Sequence, residues 1–371
     1  MAVTRTVNGT LRGIALSFVG AGLCLLLLTT LVSTALAQPP KTPAGSRPAA
    51  QPPTGGRPPS KPPAVAPTAP GKPGAKKDEE EKPPEPESTF LRTKDGWSIY
   101  CTYYGPKKDV RAGKEVVPII LLHGWEGRGS DYGSFPQLLQ TIGCAVMVPD
   151  LRGHGRSTSA LRPDRRTGEL LDEVIKVDDL TPQDLAGMVW DVEELKKALM
   201  ERHNKAELNI EMLCVAGADV SAIVAMNWAV MDWSWPVTPA YKQGQDVKGL
   251  VLLSPRQSFK GMDTTKALAS VALDRQLSVM VAVGEEDRKA YSDAKRIYSR
   301  IERGRPTYKD PEEKRRKQDY FLFTAPTTLQ GTRLLAPQLT IYRSVGLFLQ
   351  LRFFDKADEY PWAERKHPLS S

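Results

Sequence analysis

The sequence predicts an α/β protein whose sheet is mostly parallel, doubly wound and covered by helices on both faces. Three observations lead there. Strand-like and helix-like segments alternate from residue 88 onward. Several strand-like runs are continuously β-branched or aliphatic, the pattern of strands buried on both faces. The first two runs are separated only by Lys94-Asp95-Gly96, a hairpin signal, so the sheet opens antiparallel before βα units take over.

Taken in order, strands are expected over 89–93, 97–104, 117–122, 144–148, 210–215, 247–253, 278–283 and 320–323, a sheet of about eight. Helices are expected over 182–203, 221–233, 264–273, 291–302 and 339–353. The first of these has Thr181 as N-cap and Pro182 at the first helical position, where a missing N–H costs nothing. Only about two dozen residues separate the strand ending at Leu253 from the next near Ser278, too few for a separate cap domain. The segment 303–317 reads as a solvated, charged loop, and Trp228, Trp233 and Trp235 read as core or sheet-edge packing.

The chain before this domain has a different composition. Arg5 and Arg12 precede an uncharged apolar stretch that ends in Ala35-Leu36-Ala37, the small-x-small pattern of a cleavage site. Residues 1–37 therefore read as an export signal, with an uncleaved N-terminal membrane anchor as the alternative. Residues 38–87 hold about half of the 31 prolines and almost no large apolar side chain, so they read as a disordered, extended linker. The folded domain is placed at 88–365, outside the cytoplasm. Cys101, Cys144 and Cys214 lie after the signal; an odd number in apolar runs reads as buried thiols and not as a disulfide framework.

The formal charge of +8 divides into +2 for the signal, +2 for the linker and +4 for the rest, with no basic stripe along any one element. That distribution argues for solubility and against a nucleic-acid partner.

Four motifs are more specific. Val117-Pro-Ile-Ile-Leu-Leu-His123-Gly124-Trp125 joins a strand to a glycine-bearing loop. Asp150-Leu-Arg-Gly-His154-Gly-Arg-Ser157 follows the next strand. Leu213-Cys-Val-Ala-Gly217-Ala-Asp219-Val-Ser221 joins a strand to a helix through small residues. Val281-Ala-Val-Gly-Glu-Glu-Asp287 ends a later strand. In this order and spacing they resemble the α/β-hydrolase fold family: oxyanion loop, D-x-R-G-x-G-x-S turn, nucleophile elbow and the strand that delivers the triad acid. The resemblance covers 88 to about 354.

It implies a catalytic triad, and two of the three positions depart from the serine-hydrolase pattern. Asp219 stands at the nucleophile position, as in relatives such as haloalkane dehalogenases and epoxide hydrolases, whose carboxylate attacks carbon to form an ester. Gln330, in Gln-Gly-Thr-Arg-Leu-Leu, stands where relatives commonly have H-G-T-x-L-L. Asp287 holds the acid position, and the backbone N–H groups of Trp125 and Val220 the oxyanion hole. A glutamine amide neither takes up a proton near neutral pH nor becomes a cation; at best it orients a water. Losing a general base costs roughly 10²–10⁴-fold in rate. None of the four histidines, His123, His154, His203 and His367, falls where the base is needed. Val220 also replaces the tryptophan that follows the nucleophile in dehalogenases.

The sequence therefore points to an exported, degenerate hydrolase that binds a small molecule or protein and is non-catalytic or weakly active. The alternative is an active hydrolase of ester, epoxide or carbon–halogen bonds using Asp219. No cofactor or metal is implied.

Overall fold

Two strands in antiparallel register start the sheet. In the computed structural model, which describes residues 82–236, 238–239 and 241–367, β1 (Glu87–Arg92) pairs with β2 (Trp97–Tyr104) through the turn at Gly96. Strand β2 alternates buried and half-buried residues, the signature of one covered face. The next strands, β3 (Val117–Leu122) and β4 (Cys144–Pro149), are buried at every position, as a parallel sheet sandwiched between helices requires. Helix α1 (Phe135–Thr141) connects them.

A hairpin follows that the sequence reading missed: β5 (Ser159–Pro163) and β6 (Leu170–Val174) pair antiparallel, and β5 continues onto β2. Every residue of β6 is exposed, so no apolar alternation marks it. The expected helix over 182–203 forms as two pieces, α2 (Pro182–Ala186) and α3 (Met188–Asn204), broken at Gly187. Thr181 caps α2, its hydroxyl accepting the Asp184 N–H while the Asp184 carboxylate accepts the Thr181 N–H. Strand β7 (Leu213–Ala218), helix α4 (Ser221–Ser234) and strand β8 (Val247–Leu253) come next.

The expected helix over 264–273 is interrupted. A two-residue ribbon, β9 (Ser258–Phe259) with β10 (Met262–Asp263), is followed by one helical turn, α5 (Thr265–Leu268), and a π-turn over Ala272–Gln276. Strand β11 (Ser278–Gly284), helix α6 (Arg288–Arg303), helix α7 (Pro311–Lys317), strand β12 (Tyr320–Ala325) and helix α8 (Ile341–Arg352) complete the order. The charged segment 303–317 is thus not all loop: Asp310 accepts the Glu313 N–H and starts α7.

The main sheet among the described residues has ten strands, against the eight expected, in the order β12-β11-β8-β7-β3-β4-β2-β5-β6 with β1 on the other edge of β2. The two added strands are β5 and β6. From β4 to β12 neighbours are parallel. One apolar layer packs α3 and α4 against one face, and a second packs α1 and α8 against the other. No separate cap domain is present among the described residues. The expected signal, and the linker before residue 82, lie outside them. No helix among the described residues is long and apolar enough to cross a membrane.

The three cysteines are buried and free, and burial pushes the Cys101 thiol up to about 12. Polar burial concentrates in two networks. Arg152, fully buried, spans the carboxylates of Asp191 (2.6 Å) and Asp95 (2.7 Å). Lys196 lies among Asp232 (2.9 Å), Glu193 (3.3 Å) and Asp246 (3.4 Å), and the C-terminal tail adds Arg365, which pairs with Asp246 and Glu211.

Candidate active site

Strand β7 ends at Ala218 and the chain turns abruptly into α4. Asp219, at the turn, has φ +56°, the left-handed region that a non-glycine residue enters only at a cost. Gly217 makes the turn sterically feasible: a Cβ there would stand 2.7 Å from the Ser221 carbonyl and 2.8 Å from the Ala222 backbone. Asp219 N–H donates to Leu253 O (2.8 Å), tying the turn to β8. Ser221, where glycine is usual, is accommodated because its hydroxyl turns inward. It accepts the Ala218 N–H (2.8 Å) and reaches the carbonyls of Leu122 (2.8 Å) and Ala218 (2.9 Å).

The loop after β3 comes close to the elbow, a Cβ on Gly124 being 3.5 Å from that of Asp219. His123 behind it is fully buried and acts through both ring nitrogens. Leu151 N–H donates to Nε2 (2.9 Å), so the proton sits on Nδ1 and is donated to Gly124 O (2.7 Å). Burial holds its pKa down to about 4. This imidazole links the oxyanion loop to the turn after β4 and is committed to that link. Trp125 N–H and Val220 N–H, the expected oxyanion pair, donate to no backbone carbonyl among the described residues. The indole of Trp125 lies against Phe259 (4.6 Å) and His154 (5.0 Å), with Lys260 Nζ 4.8 Å from its centre.

The acid–base side of the site is arranged differently. Gly331 has φ +60° and faces the elbow, a Cβ there being 4.0 Å from that of Asp219, so the loop after β12 does arrive beside the nucleophile position. Gln330, however, turns its amide into the sheet. Its Oε1 accepts from Ser254 Oγ (2.5 Å) and Gly284 N–H (3.2 Å), and its Nε2 donates to Gly284 O (3.1 Å). Gly331 N–H donates to the same Ser254 hydroxyl (2.9 Å). Both acceptor sites of the amide oxygen are therefore occupied, so Gln330 cannot accept a proton from a water, and one Nε2–H is left to meet one. Asp287 lies at the start of α6, where its Oδ1 accepts the N–H groups of Lys289 and Ala290, both at 3.0 Å. It makes no hydrogen bond to Gln330.

The residue that sequence reasoning missed is Arg256. Its Nε pairs with Asp219 Oδ1, leaving the two side chains 41% and 24% exposed. Arg256 follows β8 through Ser254 and Pro255, at the carboxyl end of a parallel strand, where ligands of open α/β sheets bind. That position was the signal available. The structure thus brings Asp219, the oxyanion loop, Arg256 and the Gln330 loop together, while Asp287 is engaged at its own helix. No group of His, Cys, Asp and Glu among the described residues is arranged to hold a metal ion.

A mostly parallel sheet entered by an antiparallel pair, with a strained strand-to-helix turn facing a glycine-bearing loop, defines the class of α/β hydrolases by fold. The chain belongs to the alpha/beta hydrolase family, whose model matches residues 119–368. No curated protein matches it by sequence. Among solved structures it is similar to an esterase from Exiguobacterium antarcticum, with 12% identity, 71% of this chain and 100% of that one covered, and a TM-score of 0.46. An esterase from Pyrococcus furiosus has 14% identity, coverage of 72% and 91%, and a TM-score of 0.49. A serine hydrolase without a lid from Xanthomonas campestris has 14% identity, coverage of 76% and 98%, and a TM-score of 0.42. At these levels of identity none informs a residue's role here.

Proposed function

We propose that the chain is an exported member of the alpha/beta hydrolase family with a degenerate triad, which binds a small molecule or protein partner and has little or no hydrolytic turnover. The observation that carries this reading is the pair of commitments at the site: Asp219 is ion-paired to Arg256, and Gln330 is latched to Ser254 and Gly284. The Arg256 guanidinium draws charge from the Asp219 carboxylate through Oδ1 and so weakens it as a nucleophile, and an ester formed through Oδ2 would meet no base able to activate water. The exposed side of the same site, Arg256, Trp125, Phe259 and Lys260, supplies cations and aromatic faces for binding.

One observation favours the second reading, an active hydrolase with Asp219 as nucleophile. The φ of +56° keeps the side chain at the tight elbow where nucleophiles of this family stand. A panel of p-nitrophenyl esters of graded acyl length, on wild type and Asp219→Ala, separates the two. The binding reading expects both proteins at background for every ester. Wild-type turnover that Asp219→Ala abolishes would establish the second reading.

A further inference from the structure

The charge of this chain is not spread as the sequence suggested. Residues 288–317 hold twelve basic and five acidic side chains, a net +7 of the chain's +8. Folding orders part of this charge along one helix. Helix α6 buries Ala294, Ile297 and Ile301 against the sheet, and its opposite side carries two parallel rows at i, i+4, i+8. One row is Ser292, Arg296 and Arg300; the other is Lys295, Ser299 and Arg303. The basic stripe absent from the sequence reading is thus present, and the reason is periodicity: apolar and acidic residues between the cations hide it until the chain coils.

Between the two rows runs an open trench of about 480 Å³, lined by those six residues alone. No acid lines it. Asp293 is turned to Gln257 (2.7 Å), and Glu302 to the Tyr298 hydroxyl. The four cations take part in no ion pair among the described residues, although basic side chains nearby do, as Arg305 with Asp319 and Lys317 with Glu313 show. Over the twelve residues from Ser292 to Arg303 the trench extends about 16 Å, with a cation on each turn.

We propose that this face of α6 is a docking surface for a linear carboxylated polysaccharide. A trench with positive charge on both walls, repeated at every turn, complements a polymer with regularly spaced anions. Ser292 and Ser299, interleaved with the cations, supply hydroxyl groups that hydrogen-bond sugar hydroxyls. Two other polyanions fit less well. Tyr291, the aromatic side chain beside the stripe, is partly buried against the core and has Lys295 Nζ 5.7 Å from its ring, which leaves among the described residues no run of exposed faces on which successive bases of single-stranded nucleic acid would stack. It has no apolar side chain to enter a lipid headgroup layer. The surface uses different residues from those around Asp219 and does not depend on how that site is read.

The test is affinity electrophoresis of the full chain through gels containing polygalacturonate, with fully methyl-esterified polygalacturonate as the uncharged control. Retention is expected with the acid polymer only, falling steeply between low and physiological salt as exposed charges are screened. Lys295→Gln/Arg296→Gln/Arg300→Gln/Arg303→Gln is expected to weaken it by about tenfold or more. Lys108→Gln/Arg165→Gln/Lys205→Gln/Lys266→Gln removes equal charge from exposed positions elsewhere and is expected to leave retention within about twofold of wild type. Equal retention of wild type and the α6 variant, or an equal loss in both variants, would overturn the proposal. Stripe-dependent binding that is tighter to a single-stranded oligonucleotide or to phosphatidylglycerol vesicles would overturn the ligand class.

Discussion

The two halves of the site have fared differently. On the Asp219 side the backbone makes a tight strand-to-helix turn: Asp219 has φ +56°, Gly217 allows the close approach, Ser221 joins β3 to β7, and His123 fixes the loop after β3. On the acid–base side the loop reaches the right place, but its side chains serve the fold. Gln330 ties β8 and β11 together, and Asp287 caps α6. The contrast teaches that a side chain at this loop can serve the sheet instead of chemistry: under the proposed degenerate triad, Gln330 stands in place of a base and satisfies its neighbours with three hydrogen bonds.

The largest effect expected from this comparison is a pH effect on the nucleophile side. The folded state keeps His123 neutral down to about pH 4, whereas an unfolded histidine takes up its proton near pH 6.5. The unfolded chain binds more protons between those values. The contribution of His123 is therefore complete above about pH 6.5 and is lost as pH falls towards 4, by about 3 kcal/mol. Nitrogen-detected histidine NMR should show His123 protonated at Nδ1 only, unchanged from pH 7 to 5. Titration near pH 6.5 would mean that the oxyanion loop is not held as described.

Next in size is Gly217→Ala, whose methyl would press on backbone atoms that have no freedom to rotate away. Urea unfolding should show a loss of about 2 kcal/mol. An unchanged midpoint would show that the elbow is looser than its geometry. On the other side, Gln330→Ala strands the Ser254 hydroxyl and the Gly284 amide and should cost about 1–2 kcal/mol. A loss near zero would make Gln330 a bystander and dissolve the comparison. The smallest effect runs the other way. Asp219→Gly relieves a positive φ at the loss of a half-exposed ion pair, and should stabilise the fold by about 0.5–1 kcal/mol.

Much of this was legible in the sequence because the relevant signals are local. The β-branched runs mark the central strands. Gly217 and the residues around it mark the elbow, and Thr181-Pro182 marks a helix start that the structure reproduces. The hairpin β5–β6 was not legible, since an exposed strand such as Leu170–Val174 has no buried face to impose alternation. Arg256 escaped because its role depends on two strand ends meeting, Leu253 beside Ala218, which are far apart in the chain. The direction of the Gln330 amide was equally hidden. A residue's position in a motif shows where the backbone goes, but only the surrounding donors, here Ser254 and Gly284, decide where an amide points. The stripe on α6 needed the helical period to gather cations separated by neutral and acidic neighbours.

The central claim, that the nucleophile side keeps its form without its chemistry, is tested most directly by intact-mass measurement of the protein after incubation with a panel of epoxides and alkyl halides. The account predicts an unmodified mass, with Asp219 held by Arg256. A stable adduct mapped to Asp219, or turnover of any of these substrates that Asp219→Ala abolishes, would contradict it.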